Sequence, residues 1–549
     1  MLNLYQEYCT EKLDENGVLV DFQIHCPDNF NFAYDVVDRI ASQEPDRRAM
    51  MWCNVEGEEK MFTFGELKTL SDKAANVFLS HGIKKGDTVL LILKRHYEYW
   101  YTLLGLHKIG AVAIPATHLL TTKDIVYRVQ SADIKAVVTT PDGEVSDFIN
   151  QAKAECPTLQ KQFIVRQDKQ GFINLTKEIE SASDALERIE VSKNDPMLLY
   201  FTSGTTGYPK MVVHNYSYPL AHIITAKYWQ HVNPEGLHLT VSETGWAKAA
   251  WGKIYGQWLM EAGIMVYDFD KFVPTDLLAV IEKYKVTTFC APPTIFRFFI
   301  KEGMGNYDLS SLEYATIAGE ALNLEVYKKF LEVTGIKLME AFGQTETTVI
   351  LANLFNFNNK PGSMGIPSPM YHVDLVDENC NSVAPMEVGE IVVRPREDGP
   401  QYGLFAGYYK DEELNKQAWR GGVYHTGDTA YRDEDGYYWY VGRTDDIIKS
   451  SGYRIGPFEI ESVLMEHPAV LECGITGVPD EVRGQVIKAT IVLTSGYKPS
   501  DALAKELQDY VKHATAPYKY PRVVEFVDEL PKTISGKIRR VVLRGEEKD

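Results

Sequence analysis

The chain has 549 residues, 45% hydrophobic and 24% charged. That composition excludes bulk disorder, and the length allows roughly three or four structural units with a large core. Fifty-seven Lys and Arg against 76 Asp and Glu leave a formal charge of −19. This argues against a nucleic-acid surface but permits a local basic pocket for a phosphorylated small molecule.

Residues 1 to about 30 show no clear period and are expected to wrap the surface. The opening MLNLYQEYCTEKLDENG is acidic and has no apolar run, so no signal peptide is expected. Thr88–Lys94 (TVLLILK) is almost wholly apolar, as a strand buried on both faces should be. Tyr97–Ile109 has helical spacing, Gly110–Ala116 (GAVAIPA) reads as a strand, Thr121–Ala132 as a helix and Ala136–Thr140 as a strand. Strand–helix–strand order with short connections predicts a parallel sheet with right-handed crossovers. The apolar stretch from Tyr99 to Leu120 is broken by His107, Lys108, Gly110 and Pro115, so no membrane span is expected.

The pattern returns further on. Pro196–Phe201 is a predicted strand and Tyr216–Gln230 a long helix. Ile264–Phe269, Thr287–Ala291 and Tyr314–Ala318 are strands, with helices at Thr275–Tyr284 and Glu325–Val333. From about Pro361 helical periods vanish. Short strands at Val373–Val376, Glu390–Arg394 and Tyr437–Val441 predict a β-rich part at about 361–443. Beyond Arg443, a helix opening with Pro457, a strand at Val486–Leu493, a helix at Asp501–Thr515 and a strand at Val523–Val527 suggest a compact unit. The expected fold class is therefore α/β. A large N-terminal domain, 1–444, has two layered α/β subdomains and a small β-rich subdomain; a small α+β C-terminal domain, 445–549, follows. The seven cysteines are odd in number and lack a CxxC pair, so neither a disulfide framework nor a zinc site is expected, and a cytoplasmic setting is.

The segment with the most chemistry is Thr202–Lys210, TSGTTGYPK, directly after a predicted buried strand. Gly204 and Gly207 let backbone approach an anion. Thr202, Ser203, Thr205 and Thr206 supply hydroxyls, and Lys210 an ammonium, as polyphosphate oxygens require. The spacing is not that of a Walker A loop. Taken alone, it also suits a Gly/Thr hairpin turn.

Four further segments follow in order: Glu340–Thr347 (EAFGQTET), Tyr424–Asp428 (YHTGD), Gly442–Pro457 (GRTDDIIKSSGYRIGP) and Pro531–Lys537 (PKTISGK). With TSGTTGYPK they resemble the motifs of the adenylate-forming superfamily, which includes acyl-CoA synthetases, luciferases and peptide-synthetase adenylation domains. SVLMEHPAV and TAPYKYPR resemble its medium-chain acyl-CoA synthetase branch. The resemblance covers about Asp35 to Arg544.

It implies a two-step reaction: a carboxylate and ATP give acyl-AMP and pyrophosphate, then CoA displaces AMP. The first step joins two anions, so charge must be neutralised at the α-phosphate. The resemblance implies Glu346 as a Mg²⁺ ligand, Thr345 at the α-phosphate and Lys537 as the cation bridging carboxylate and phosphate. Asp428 takes the ribose hydroxyls, and Arg443 ribose or phosphate. Gly319, Glu320 and Ala321, with Glu340, Ala341, Phe342, Gly343 and Gln344, lie about the adenine. Asp445 is the hinge about which the C-terminal domain turns between steps. The turn removes Lys537 and brings in Ser451, Gly452, Tyr453 and Arg454; Arg483, Tyr518, Lys519 and Tyr520 are further candidates for CoA. For these last four, a rigid proline turn and a surface arginine explain the residues as well.

For the acid, Gly343 stands where acetate enzymes of the family carry a pocket-closing tryptophan. This implies room for several methylenes. Trp246, Lys248 and Trp251 fall where the family places acyl-binding residues and reshape or shorten that room, unless the tryptophans merely pack the core. A short-to-medium-chain acid, branched ones included, is expected, with a small aromatic acid second. Acetate or propionate as substrate, and a non-catalytic nucleotide sensor on the same fold, are the rival readings. The sequence leaves oligomeric state open.

Overall fold

A computed structural model describes residues 1–545 apart from 203–208, 321, 398, 452 and 533–536. Two large sheets organise the first 370 or so residues. In one of eight strands, Thr88–Ile92 runs parallel between Val112–Pro115 and Ala136–Thr139. Pro196–Thr202 joins Val112–Pro115 in parallel, and Lys210–Asn215 turns back antiparallel beside it. In the second, of nine strands, a parallel run proceeds from Leu338–Gly343 through Tyr314–Ile317, Thr288–Ala291, Leu237–Thr240 and Gly263–Asp268 to Arg48–Asn54.

The alternation of strand side chains sets the layers. Val89 and Leu91 face a core shared with the second sheet's Ile264 and Val266. Leu90 and Ile92 face a separate core under the helices Thr122–Ala132 and Val145–Ala152. The helix Glu98–Lys108 lies in the shared core and is buried at all 11 positions. A lysine there needs partners: Lys108 Nζ donates to Asp38 at 2.8 Å and Asp72 at 2.5 Å. Helices Pro274–Tyr284, Pro293–Glu302 and Leu324–Thr334 cover the outer face of the second sheet.

Four antiparallel strands, His372–Val376, Val388–Arg394, Tyr424–Arg432 and Tyr438–Arg443, form the β-rich part. After it, five strands and the helices Pro457–Met465 and Asp501–Ala514 enclose their own core around Ile460, Ile475, Ile491 and Leu507. The α/β architecture with a small α+β C-terminal unit agrees with the sequence expectation.

Three local expectations change. Residues 1–30, which show no clear period, contain regular structure all the same: Cys9–Leu13 and Leu19–Ile24 pair as a hairpin. Its turn is held by the Asp14 carboxylate, which accepts from the amides of Asn16 and Val18 at 2.9 Å each. Helical structure does not vanish after Pro361, because Glu412–Ala418 is a helix capped by Asp411, which accepts from the Leu414 amide at 2.9 Å. The long helix expected over Tyr216–Gln230 is α-helical at Tyr218–Ile223 and continues as a π-helical segment at Ile224–Trp229.

Candidate active site

The parallel strands of both sheets deliver the candidate residues at their carboxyl ends, where ligands of open α/β sheets bind. Thr202 ends one strand and pairs in register with Lys210 on the next, so the expected phosphate loop connects these two. Ser203, Gly204, Thr205, Thr206 and Gly207 lie outside the described residues, as do Ala321 and Gly452. Gly319 follows Tyr314–Ile317 with φ +104°, and the exposed Glu320 accepts from Thr294 Oγ1 at 3.0 Å.

Strand Leu338–Gly343 carries Glu340, Ala341, Phe342 and Gly343 into the turn Gln344–Thr348. The Gln344 amide donates to Thr347 Oγ1 at 2.9 Å, which closes the turn. Segment 403–408 braces it: the Thr348 amide donates to Gly403 O at 2.9 Å and the Phe405 amide to Glu346 O at 2.7 Å. The same segment pairs with Lys210–Asn215 through Gly407–Tyr408. It therefore places Tyr408 between two expected site residues. Tyr408 Oη donates to Glu346 Oε1 at 2.9 Å, and Lys210 Nζ sits 5.4 Å from the Tyr408 ring centroid. Burial and the adjacent Glu346 carboxylate push the Tyr408 phenol up, so it remains a donor. His214 Nε2 donates to Thr345 O at 2.7 Å; burial pulls this histidine down to about 4, so it is a neutral anchor for the turn.

The ribose candidate has a complete set of partners. Asp428 and Arg443 face each other across antiparallel strands. Asp428 is 5% exposed. Its carboxylate accepts from Gln344 Nε2 at 2.5 Å, Tyr440 Oη at 3.1 Å and Arg443 at 3.4 Å. Burial pushes this carboxyl up, against the pull of Arg443, Tyr440, Gln344 and Lys537. Tyr424 Oη steadies the far end of the Gln344 amide at 2.9 Å. Tyr408 and Tyr440 are the site residues that sequence motifs do not mark. Tyr424 lies within YHTGD, but nothing in that motif reveals that its hydroxyl reaches Gln344.

The positive charge of Lys537 is felt at both Asp428 and Lys248 and lowers each of them. Lys248 Nζ donates to Ala318 O at 2.9 Å, and burial first, then Lys537, pull its ammonium down. Trp246 is partly buried at the start of this segment. Trp251 explains Gly343. A Cβ on Gly343 would lie 2.5 Å from the indole Cη2 and 2.3 Å from Thr348 O. The space that Gly343 was expected to leave for methylenes is occupied on that side by the Trp251 ring.

Near the sequence hinge, Asp445 lies 3.4 Å from Arg443, while Asp446 is held by Arg544 at 2.7 Å and Arg540 at 3.4 Å. Four of the CoA candidates pair with one another, Ser451 with Arg483 and Tyr453 with Tyr518, while Arg454, Lys519 and Tyr520 are held by residues outside the set. The Ser451 amide donates to Arg483 O at 3.0 Å. Tyr453 stacks on Tyr518 with ring centroids 4.0 Å apart and planes 10° from parallel. Arg454 is salt-bridged to Glu378 at 3.2 Å, Lys519 to Glu459 at 2.5 Å, and Tyr520 accepts from Arg522 at 2.7 Å. Glu346 is a carboxylate that Tyr408 links to Lys210, the lysine of the expected phosphate loop. A single hard oxygen donor fits Mg²⁺, which takes few protein ligands and completes its shell with phosphates and water. No helix among the described residues is long and apolar enough to cross a membrane.

Comparison with known proteins gives the chain a family. The family model for AMP-binding enzymes matches residues 37–409, and that for the AMP-binding enzyme C-terminal domain matches 459–537. Human "Acyl-coenzyme A synthetase ACSM3, mitochondrial" is 40% identical over 537 residues, 96% of this chain and 91% of that protein. Human "Acyl-coenzyme A synthetase ACSM4, mitochondrial" is 41% identical over 531 residues, 95% of this chain and 91% of its own. Among solved structures, the anthranilate CoA ligase AuaEII with anthranoyl-AMP has a TM-score of 0.87 at 27% identity, covering 95% of this chain and 98% of its own. A benzoate CoA ligase from Burkholderia xenovorans LB400 has 0.81 at 26%, covering 94% of this chain and 100% of its own. The expectation of a cytoplasmic protein is overturned by the relatives, which are mitochondrial enzymes. With matching models over most of its length and relatives at about 40% identity along nearly all of it, the chain belongs to the family of AMP-binding enzymes.

Proposed function

We propose that the chain is an AMP-forming acid–CoA ligase acting on a short-to-medium-chain carboxylic acid, branched chains included. The observation that supports this reading is the meeting of Gln344 and Arg443 on the Asp428 carboxylate, with Glu346 in the same turn as Gln344 and held by Tyr408. A nucleotide ribose would take the Asp428 carboxylate, whose partners Tyr440, Gln344 and Arg443 hold it oriented. Lys210 and the hydroxyl-rich loop would hold the β- and γ-phosphates. Mg²⁺, when bound at Glu346, supplies charge neutralisation on the phosphates.

In the first step a carboxylate oxygen attacks the α-phosphorus and pyrophosphate leaves. Lys537 offsets the charge where carboxylate and phosphate meet, and Thr345 hydrogen-bonds the α-phosphate. In the second step the CoA sulfur attacks the acyl carbonyl carbon and AMP leaves. We propose that residues 445–549 rotate about Asp445 between steps, exchanging Lys537 for the loop 451–454. Arg454, Arg483, Tyr453, Tyr518, Lys519 and Tyr520 would then serve CoA. The acid would lie against Trp246, Lys248 and Trp251. With Trp251 filling the space beside Gly343, width is favoured over depth, which suits branched acids.

A small aromatic acid is the second reading, supported by the likeness to anthranilate and benzoate CoA ligases. The test is release of AMP and pyrophosphate across acids of two to ten carbons, with branched and aromatic members, with and without CoA. CoA-dependent AMP formation greatest with short-to-medium branched acids is the expected result. Formation greatest with benzoate-like acids favours the second reading, and silence across the panel despite ATP binding refutes both.

A further inference from the structure

Behind the ribose strand lies a cluster that the two-step reaction leaves unused. Cys380 closes a turn in which its amide donates to Asp377 O at 3.1 Å. Its φ is +61°, a conformation that a side chain other than glycine rarely adopts and that aims the sulfur at strand Tyr424–Arg432. Cys380 Sγ lies 3.7 Å from His425 Nε2, and the same nitrogen lies 3.1 Å from the Arg420 carbonyl oxygen, which accepts the proton's hydrogen bond once Nε2 has taken it from the thiol. The other ring nitrogen, Nδ1, is 2.9 Å from Glu390 Oε2, and Arg420 is 2.5 Å from that same oxygen. Thiol, imidazole and carboxylate thus stand in the order of an activated nucleophile: the base is within reach of the sulfur and a third group orients the base. Cys380 is partly exposed, whereas Cys9, Cys53, Cys156, Cys290 and Cys473 are buried. The remaining cysteine, Cys26, is also partly exposed, but its sulfur faces the Pro27 carbonyl and burial pushes its thiol up to about 12.

The cluster also touches the nucleotide candidate. Glu390 Oε1 accepts from the Gly427 amide at 3.1 Å, so one carboxylate orients His425 and pins the residue before Asp428. On its other side the sulfur has no room, since a Cβ on Gly421 would be 2.9 Å from Sγ. An atom added to the sulfur must therefore displace His425 or emerge into solvent.

We propose that Cys380 is a nucleophilic thiol, activated by His425 and oriented through Glu390, that reacts with peroxides and other small electrophiles, and that its adduct loosens the nucleotide's ribose site. With a peroxide, His425 Nε2 takes the thiol proton as sulfur attacks one oxygen of HOOH. The O–O bond breaks, and the departing hydroxide takes a proton and leaves as water. Sulfur is oxidised by two electrons to the sulfenic acid and the peroxide is reduced. The effect on nucleotide rests on the assignment of Asp428 to ribose; the reactivity of the thiol does not.

The test separates the two. Native protein is alkylated briefly with iodoacetamide, then unfolded in a second reagent of different mass, and each cysteine is read by mass spectrometry. Cys380 should react about tenfold faster than Cys26, and His425→Asn should remove most of that advantage while leaving Cys26 unchanged. Glu390→Gln serves if His425→Asn exposes the five buried cysteines. Equal rates at Cys380 and Cys26, or a Cys380 rate indifferent to the variant that keeps the buried cysteines protected, overturn the proposed activation. Peroxide should then raise KM for ATP several-fold in the wild type and leave the Cys380→Ser protein unaffected. An unchanged KM in oxidised wild type overturns the link to the ribose site.

Discussion

The Tyr408 hydroxyl does two things for Glu346: it orients the carboxylate and donates to it in a partly dry site. Tyr408→Phe keeps the ring under Lys210 and removes only the donor. A hydrogen bond to a charged group contributes about 1.5–3 kcal/mol, so kcat/KM for ATP should fall roughly ten- to a hundredfold with little change in melting temperature. Steady-state kinetics across ATP and Mg²⁺ concentrations would measure it; an unaltered kcat/KM would remove Tyr408 from the site. Trp251 can be tested by the acid preferred. Trp251→Leu vacates the ring volume beside Gly343, and each further buried methylene gains about 0.8 kcal/mol, or about fourfold in kcat/KM. The preferred acid should lengthen; if it does not, the ring does not bound the pocket. Glu340 reports on pH. One of its oxygens accepts from the Leu322 amide at 3.3 Å, the other has no partner, and burial pushes the carboxyl up to about 8. The native state keeps a proton that the unfolded chain releases near pH 4.3. Stability should therefore fall as pH rises from about 4.3 to about 8 and level off above. Denaturant midpoints of wild type and Glu340→Gln at pH 5 and 8 give the comparison, and an equal fall in the variant would assign the effect elsewhere.

At the scale of elements, helix Pro457–Met465 of the C-terminal unit meets the start of Leu324–Thr334, where Asn323 Nδ2 donates to Ser462 O at 3.4 Å. If the second step needs this contact to part, a cysteine pair at 323 and 462 that is oxidised to a crosslink should keep pyrophosphate release and stop CoA-dependent turnover. Reduction should restore turnover. Full thioester formation in the crosslinked protein would end the rotation proposal. The same elements separate what the residues announce from what only the fold assembles. Thr88–Ile92 is legible because five buried residues in a row leave no polar face. Helix Thr122–Ala132 is legible because a threonine stands at its start, where Asp124 accepts from the Thr121 amide at 3.0 Å. The ribose pair is half legible: Asp428 and Arg443 stand in separate motifs, and only the antiparallel register of their strands puts them opposite. Tyr408 is not legible, since it reaches Glu346 from 62 residues away through a two-residue edge strand. Trp251 filling the space at Gly343 is likewise a contact between residues 92 positions apart that no local pattern carries. The N-terminal hairpin escapes for a different reason: only one of the five residues in Cys9–Leu13 is buried, so the strand shows no alternation.

For the molecule as a whole, the decisive property is that its cores are not one. Val89, Leu91, Ile264 and Val266 belong to a single core that ties both large sheets together, and Tyr424 and Tyr438 of the β-rich part join it. Ile460, Ile475, Ile491 and Leu507 pack in a core of their own. The contacts between the two bodies include the polar pairs Arg454 to Glu378, Asn323 to Ser462 and Asp445 to Arg443, and one edge-on ring pair, Tyr440 to Phe458, with centroids 5.9 Å apart. Exposed ion pairs contribute about 0–1 kcal/mol each and a ring pair about 0.5–1.5 kcal/mol, too little to make two cores melt as one. Unfolding of the apoprotein should then proceed in two calorimetric transitions, not one. Ile475→Ala, a fully buried truncation costing about 2–5 kcal/mol, should assign them. In a body of roughly 100 residues, each kcal/mol lowers the melting temperature by about 4–8 °C, so one transition should drop by about 10 °C or more while the other stays. Addition of acyl-AMP, which would touch Asp428 on one body and Lys537 on the other, should draw the two transitions together, because a ligand held by both is lost when either unfolds. A single transition in the apoprotein, displaced as a whole by Ile475→Ala, would mean that the C-terminal unit does not fold independently and that residues 445–549 are not a body free to turn.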